Sequence, residues 1–319
     1  DSVVKNEETP TEQNESENQD TTLTKIDANT TIQSIINDPV FDDYGRFIFP
    51  SDYREIEDTM TVSEIDSLLP YHSYINTNTT IEVLEYFENQ VNNGQTIFYD
   101  IYSPEEKASD PSKEDTGLFF FKGKKNAPFA LISAGGGFVY VGSIHESFPH
   151  ALKLSRQGYN AFALQYRTYS GQTACVDLAR AIAFIFEHAK ELEVDTNCYS
   201  LWGGSAGARM AAYLGSYGPG SFGQNLYPRA GTVVMQYTGH NDYTPNDPPT
   251  YVCVGKNDGI AYWKTMERRI NRLKHCGIPT EFHVYPNLGH GFGLGVGTLA
   301  EGWINDAIAF WQQQIDKTK

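Results

Sequence analysis

Apolar residues recur with two different spacings along the chain, and the change between them falls near residue 95. Before that point the spacing is helical, as in the stripe of Ile81, Leu84, Phe87 and Val91, which Gly94 ends. After it, short apolar runs typical of buried strands alternate with longer segments of helical periodicity. The pattern therefore predicts a mainly helical N-terminal segment followed by a region of alternating strands and helices.

The alternating region predicts an α/β fold. We expect strands at residues 96–102, 118–121, 129–132, 162–166, 199–202, 232–236, 251–254 and 281–285. We expect helices at residues 147–158, 176–191, 206–214, 260–276 and 304–315. Strands that are joined by helical crossovers lie parallel in one sheet, and helices then cover both of its faces. The sequence thus predicts a mostly parallel central sheet with helices on both faces, plus an N-terminal extension that is mainly helical.

Composition divides the chain into three regions. Residues 1–22 contain seven acidic residues, one basic residue and no aromatic residue, so this stretch cannot bury enough apolar surface to offset the entropy of ordering. We therefore expect residues 1–24 to form a disordered acidic tether. Residues 25–94 are predicted to be an extension packed on the core, and residues 95–319 to be the α/β domain.

The start of the chain also bears on its location. The first residue is Asp1 rather than an initiator Met, and no signal peptide is present. We expect a mature secreted or cell-surface protein, consistent with a bacterial lipoprotein whose N-terminus is lipid-anchored. A cytosolic protein with an irregular acidic end is the alternative. The cysteines do not decide between the two: Cys175 and Cys198 are predicted to lie too far apart for a disulfide, and four buried thiols are expected.

Charge and hydropathy exclude two classes of partner. The 319 residues carry 24 basic and 40 acidic side chains, a net charge of −16, which repels nucleic acid and anionic membrane surfaces. No apolar run approaches the ~18 residues that a membrane-spanning helix needs. With 40% hydrophobic residues, the chain is long enough to bury a sizeable core.

Candidate chemistry begins at a G-x-S-x-G pentapeptide, Gly203 to Gly207. An apolar strand-like stretch precedes it, and an alanine-rich helix-forming stretch follows it. A sharp turn between strand and helix strains the backbone of its central residue and needs small residues two positions away on either side. The two flanking glycines supply that clearance, and Ser205 is therefore predicted to be a nucleophile at the N-terminus of a helix.

A serine nucleophile needs an imidazole to take its proton and a carboxylate to orient that imidazole. Asp258 follows a predicted strand, and His290 lies in a glycine-flanked loop after the next strand, so both belong to the same edge of the sheet as Ser205. Of the eight histidines, only His290 combines this order, loop and edge. Asp242 and Asp247 are the rival acids, and both are accounted for as turn residues.

A run of three glycines after the strand at 129–132 supplies the third component. Because glycines have no side chain, the N–H groups of Gly136 and Gly137 can face a ligand and, with that of Ala206, hold a tetrahedral oxyanion. A flexible turn or a phosphate-binding loop is the alternative. No Lys follows the glycines and the G-x-G-x-x-G spacing is absent, which disfavours a nucleotide site.

These motifs together resemble the α/β-hydrolase superfamily, specifically bacterial carboxylesterases related to hormone-sensitive lipase and to polysaccharide acyl esterases. The matching segments are residues 135–138, 158–167, 178–182, 202–207, 257–259 and 289–292. The resemblance implies a Ser205–Asp258–His290 triad with the oxyanion donors named above. Ala134 departs from the lipase-like branch, which has His there, and favours the branch similar to acetyl-xylan and feruloyl esterases.

The implied reaction is hydrolysis of a carboxylic ester in two steps through an acyl-serine, without a cofactor or a metal. The short Gly/Pro loop at residues 215–228 leaves no room for a large helical lid, so short-chain or carbohydrate-borne esters are the expected substrates. Phe138, Tyr140, Trp263 and Phe292 are the candidate substrate contacts, because aromatic rings stack on sugar or aryl groups.

Two other functions are compatible with the same motifs. A serine peptidase of the prolyl-oligopeptidase type shares the fold and triad, although Ala208 replaces the second Gly usual there and 94 residues cannot build a propeller. A non-catalytic carbohydrate-binding protein of the cell surface would explain the acidic tether and the aromatic residues. Intact triad order and the glycine loop favour the esterase.

Overall fold

A computed structural model describes residues 25–225 and 227–319. The predicted acidic tether at residues 1–24 lies outside the described residues. Within the described part of the chain, no helix is both long and apolar enough to cross a lipid bilayer.

The centre of the fold is an eight-stranded sheet with strand order β1-β2-β4-β3-β5-β6-β7-β8. The strands are β1 (Phe98–Tyr99), β2 (Gly117–Phe121), β3 (Ala127–Ser133), β4 (Asn160–Gln165), β5 (Val194–Gly204), β6 (Thr232–Gln236), β7 (Thr250–Gly255) and β8 (Thr280–Tyr285). β2 pairs antiparallel with β1 and with β4, whereas all pairs from β4 to β8 are parallel. The predicted mostly parallel α/β sheet is confirmed.

Helices connect the strands and cover the sheet. They are α1 (Ile32–Ile36), α2 (Thr77–Asn92), α3 (Pro104–Ser109), α4 (Ser143–Glu146), α5 (Phe148–Arg156), α6 (Gly171–Glu187), α7 (Ala189–Leu192), α8 (Ala206–Tyr217), α9 (Trp263–His275) and α10 (Trp303–Asp316). 3₁₀ segments occupy Pro39–Phe47, which is interrupted by a kink at Asp42, and Val62–Leu68, Pro111–Asp115 and Pro219–Phe222. The extension at 25–94 thus consists of α1, α2, two 3₁₀ segments and loops.

Several elements differ from those predicted; for example, β5 begins at Val194 rather than residue 199, and α6 begins at Gly171 rather than residue 176. The first strand is only two residues long, and the polar stretch after it, expected to be a loop, contains α3. Ser103 and Glu106 form a capping box around α3, but its lack of buried residues gives no apolar stripe for a sequence pattern to show. Helix α9 begins at Trp263 rather than Ile260, because the Asp258 carboxylate binds the first N–H groups after it in a turn.

The extension shares one core with the sheet. Phe87 of α2 is completely buried, and its ring lies 5.5 Å from that of Phe119 in β2 and 5.1 Å from that of Phe148 in α5. Edge-to-face and offset contacts of this kind add to the stabilisation from apolar burial. Residues 25–94 are therefore packed against the sheet as an integral part of the core.

The cysteines are not all buried, contrary to expectation. All four are free thiols, and Cys175 and Cys253 are buried. Cys198 is partly exposed, and Cys276 is exposed because it caps the C-terminus of α9, where the helix meets solvent.

His150 is a buried polar residue on the sheet-facing side of α5. Its Nε2 lies 2.9 Å from Oε1 of Gln236 at the end of β6, and its ring packs against Trp303. Burial, which disfavours the charged imidazolium, is the largest influence and lowers the pKa of His150 to about 4. The folded protein therefore holds this imidazole neutral at pH values where the unfolded chain protonates it.

We expect Phe87→Ala to lower the free energy of unfolding by about 3–5 kcal/mol, since it removes a buried ring between the extension and the sheet. Urea denaturation followed by circular dichroism measures this change. Tyr74→Ala, at a ring that is 49% exposed in the same extension, is the matched control and should change stability by much less. A loss of stability in Phe87→Ala no larger than that in Tyr74→Ala would contradict the role of Phe87 in the shared core.

Acid should destabilise the fold in a way that depends on His150. Because the pKa is lower in the folded than in the unfolded state, this group's contribution is complete above about pH 6.5 and is lost as the pH falls towards 4. His150→Gln cannot take up that proton. We therefore expect urea unfolding at pH 7 and pH 5 to show a smaller loss of stability in the variant than in the wild type; an identical loss would contradict the assignment.

Candidate active site

Ser205 occupies a sharp turn between β5 and α8. Its backbone has φ 51° and ψ −114°, a conformation that residues other than glycine rarely adopt. A Cβ at Gly203 would lie 2.2 Å from the backbone of Gly207, and a Cβ at Gly207 would lie 1.9 Å from the carbonyl oxygen of Ser133. Only glycine fits at either position, so the pentapeptide holds the serine in this turn.

The structure brings Ser205, Asp258 and His290 together. Nε2 of His290 lies 3.0 Å from Oγ of Ser205, and Nδ1 lies 2.7 Å from Oδ2 of Asp258. The carboxylate is itself fixed, because its other oxygen accepts hydrogen bonds from the N–H groups of Ile260 and Ala261 at 2.8 and 2.7 Å. The imidazole thus bridges the hydroxyl and a buried, oriented carboxylate.

The glycine loop after β3 lies against the serine. The position of a Cβ on Gly135 would be 3.1 Å from Cβ of Ser205. Gly136, Gly137 and Phe138 have φ values of 144°, 65° and 56°, which turn the chain back so that the Val139 N–H binds the Gly136 carbonyl. Within the described residues, the N–H groups of Gly136, Gly137 and Ala206 donate to no protein acceptor.

Two of the four aromatic residues expected to contact substrate do not have a free ring face. Tyr140 and Phe292 are both 0% exposed, so the expectation that they stack on substrate does not hold. The Tyr140 hydroxyl accepts from the N–H of Tyr71, and Phe292 packs against Tyr237. Both rings pack within the protein beneath the loops that carry the site.

Phe138 and Trp263 are half-buried and remain candidates. Phe138 lies in the glycine loop beside the start of α6, and Trp263 begins α9. Tyr71, which the sequence patterns do not indicate, is 40% exposed, and its ring lies 3.1 Å from where a Cβ of Gly137 would be. It stacks on Tyr140 at a centroid distance of 5.8 Å.

Sequence reasoning also missed a buried carboxylate under the site. Glu146 of α4 is 1% exposed, and its carboxylate accepts hydrogen bonds from the Gly135 N–H at 2.6 Å, from Nε2 of His72 at 3.0 Å and from the Tyr237 hydroxyl. Burial acts to raise its pKa, but His72 and the other donors outweigh burial and lower the pKa to about 2. Its sequence neighbours Ser143, His145 and Ser147 are also polar, so no sequence pattern marks Glu146.

A polar pocket of about 210 Å³ opens beside the glycine loop. Val141 of that loop, Arg46 and Asp52 of the extension, and Arg167 and Tyr169 after β4 contribute to its walls. Tyr169 is 64% exposed, so much of its ring is accessible to a ligand. The pocket therefore combines charged hydrogen-bonding groups with an aromatic face.

The arrangement has the parts that acyl transfer requires. A hydroxyl in contact with an oriented imidazole can be activated as a nucleophile, and backbone N–H groups without acceptors can bind a developing oxyanion. Within residues 25–225 and 227–319, no group of three or more His, Cys, Asp or Glu side chains is arranged to hold a metal ion.

Part of the chain is similar to known protein families. The BD-FAE family model matches residues 120–230, which include the glycine loop and Ser205. An acetylxylan esterase of Xylanibacter ruminicola is 20% identical over 223 residues, which is 58% of this chain and 45% of the relative. The chain thus spans less than half the length of that curated relative.

Solved structures show the same fold. An acetyl ester-xyloside bifunctional hydrolase of Caldicellulosiruptor lactoaceticus superposes with a TM-score of 0.60 at 21% identity, covering 68% of this chain and 95% of the other. A thermophilic esterase of Thermogutta terrifontis gives a TM-score of 0.52 at 18% identity, covering 63% and 88%. The chain therefore has the α/β-hydrolase fold, and it is similar to the BD-FAE family over residues 120–230 and to an acetylxylan esterase.

Proposed function

We propose that the protein is a serine carboxylesterase that hydrolyses short acyl groups, acetyl above all, from carbohydrates. The observation that carries this proposal is the continuous hydrogen-bonded series from Asp258 through His290 to Ser205, beside N–H groups that have no protein acceptor. Its similarity to an acetylxylan esterase and to an acetyl ester-xyloside hydrolase supports the ester and carbohydrate parts of the proposal.

The first half of the reaction acylates the serine. His290 takes the Ser205 proton as Oγ attacks the ester carbonyl, and the imidazolium is stabilised by the carboxylate of Asp258. The N–H groups of Gly136, Gly137 and Ala206 bind the oxyanion of the tetrahedral intermediate. The intermediate collapses when the C–O bond to the alcohol breaks and His290 returns its proton to the departing alkoxide oxygen.

The second half releases the acid. His290 removes a proton from water, and the hydroxide oxygen attacks the acyl-serine carbonyl to give a second tetrahedral intermediate in the same oxyanion hole. Its collapse breaks the bond to Oγ, and the imidazolium returns the proton to Ser205. The carboxylic acid leaves, and every group is back in its starting state.

The pocket beside the glycine loop is the proposed place for the sugar. Hydroxyl groups of a sugar bind well to paired charged side chains such as Arg46 and Asp115, which lie 3.1 Å apart at its wall. The exposed ring of Tyr169 can stack on a pyranose face. The acidic residues 1–24 favour a surface or secreted location, which we propose for an enzyme that acts on extracellular polysaccharide.

Ser205→Ala should lower kcat for p-nitrophenyl acetate by about 10⁴-fold or more, since among the described residues no other hydroxyl is hydrogen-bonded to the His290 imidazole. Release of p-nitrophenolate measures turnover, and a fluorophosphonate probe should label the wild type but not the variant. Wild-type protein that neither turns over esters nor reacts with the probe would leave the non-catalytic carbohydrate-binding function. Faster cleavage of a chromogenic dipeptide than of any ester would instead indicate a peptidase.

Tyr169→Ala should raise KM for acetylated xylo-oligosaccharides by about threefold to tenfold, the value of one lost aromatic contact. KM for p-nitrophenyl acetate, which has no sugar, should not change. Tyr217→Ala is the matched control, because Tyr217 is also exposed (43%) but does not line this pocket. If Tyr169→Ala leaves KM for the oligosaccharide unchanged, the sugar does not bind in this pocket.

A further inference from the structure

Beneath the candidate active site lies a buried carboxylate that contacts the glycine loop and the Ser205 turn directly and the His290 loop through one side chain. We infer that Glu146 is a positioning residue that fixes the glycine loop, the Ser205 turn and the His290 loop relative to one another, and that Tyr237 and His72 extend its reach. This inference rests on the proposed esterase function, because positioning is defined by its effect on that reaction.

The glycine loop is held by its first N–H group. The Gly135 N–H donates to Oε1 of Glu146 at 2.6 Å, and the Gly135 carbonyl accepts from the Gly142 N–H at 2.9 Å. Gly135 is thus fixed on both sides, and the N–H groups of Gly136 and Gly137, which have no acceptor among the described residues, stay available. Ala134, where the lipase-like branch has His, offers no side chain to brace this loop, and the carboxylate provides the brace.

The Ser205 turn rests on the same carboxylate. A Cβ on Gly204, the residue before the serine, would lie 2.5 Å from Oε1 of Glu146, and one on Gly135 would lie 2.9 Å from that oxygen. Both backbones therefore contact the carboxylate so closely that neither position accommodates a side chain. One rigid group thus sets the spacing between the nucleophile and the first residue of the glycine loop.

Tyr237 connects the carboxylate to the histidine loop. Its hydroxyl donates to Oε2 of Glu146 and accepts from the N–H of Gly293 at 3.1 Å, three residues after His290. Its ring packs edge-on against the His290 imidazole, with the centroids 4.8 Å apart. The Tyr237 side chain therefore links the carboxylate to the backbone of the histidine loop through its hydroxyl, and to the imidazole through its ring.

The extension completes the network from the other side. Nε2 of His72 donates to Glu146, while its Nδ1 lies 2.8 Å from the Tyr140 hydroxyl in the glycine loop. The next residue, Ser73, donates its N–H to the Gly291 carbonyl at 3.0 Å and its hydroxyl to the His290 carbonyl. Residues 72 and 73 thus join the glycine loop to the histidine loop.

The decisive variant is Glu146→Gln, which keeps the shape of the side chain and one acceptor but loses the second acceptor and the charge. The amide N–H₂ group of the glutamine is a donor, so it cannot accept the hydrogen bonds that Tyr237 and His72 donate to Oε2 of Glu146. We expect kcat for p-nitrophenyl acetate to fall by about 10- to 100-fold, as for displacements of ~1 Å in a catalytic site, with KM changed by less than about threefold. Glu146→Ala should lose more activity than Glu146→Gln.

Tyr237→Phe is the second variant, and it decides the matter if Glu146→Gln does not fold. It keeps the ring on His290 and the charge of Glu146 but removes the link to Gly293. We expect kcat to fall by about tenfold in protein that circular dichroism shows to be folded at the assay temperature, even though loss of the buried hydrogen bonds lowers the melting temperature.

Asp247→Asn is the matched control for loss of a buried carboxylate. Asp247 is 6% exposed and pairs with Arg269 at 3.0 Å, without contact to the glycine loop or the histidine loop. It should lower the melting temperature but leave kcat within about twofold of the wild type. A folded Glu146→Gln or Tyr237→Phe protein with wild-type kcat, or variants that change only KM, would overturn the inference; an inactive wild type would instead overturn the proposed function.

Discussion

The contact of 3.0 Å between the imidazole of His290 and the hydroxyl of Ser205 is the interaction on which the proposed chemistry depends. The two residues are 85 positions apart, and they meet because β5 and β8 are both parallel strands whose carboxyl ends share one edge of the sheet. The sheet fixes that edge to within a few ångströms. Hydrogen-bond distance needs finer control than strand packing alone supplies.

The finer control comes from backbone strain and buried polar contacts. Ser205 has a φ of 51°, which is unfavourable for serine and persists only because Gly203 and Gly207 let the neighbouring backbones close around it. One carboxylate oxygen of Asp258 accepts hydrogen bonds from two N–H groups of its own turn, and the other oxygen accepts from the imidazole. The strained turn costs folding stability, and both arrangements give a reactive group a defined position.

The parts of the site that the sequence predicts are those with local signals. A strand, a G-x-S-x-G turn and a helix occur next to one another in the chain, so Ser205 can be placed without knowing any distant contact, and chain order then selects Asp258 and His290. Burial of Tyr140 and Phe292 depends instead on which loops cover them. An aromatic residue in a loop has the same sequence signature whether it faces solvent or lies beneath the loop.

The sequence does not reveal the role of Glu146 for the same reason. Its partners, residues 72, 135 and 237, are distant in the chain and form no recognisable motif with it. Its placement changes the meaning of the extension. A segment that merely covered the site could open without altering the reactive groups, whereas residues 72 and 73 bond to the carboxylate and to the histidine loop. Opening the extension would break those bonds, so His72 and Ser73 couple the extension to the candidate site.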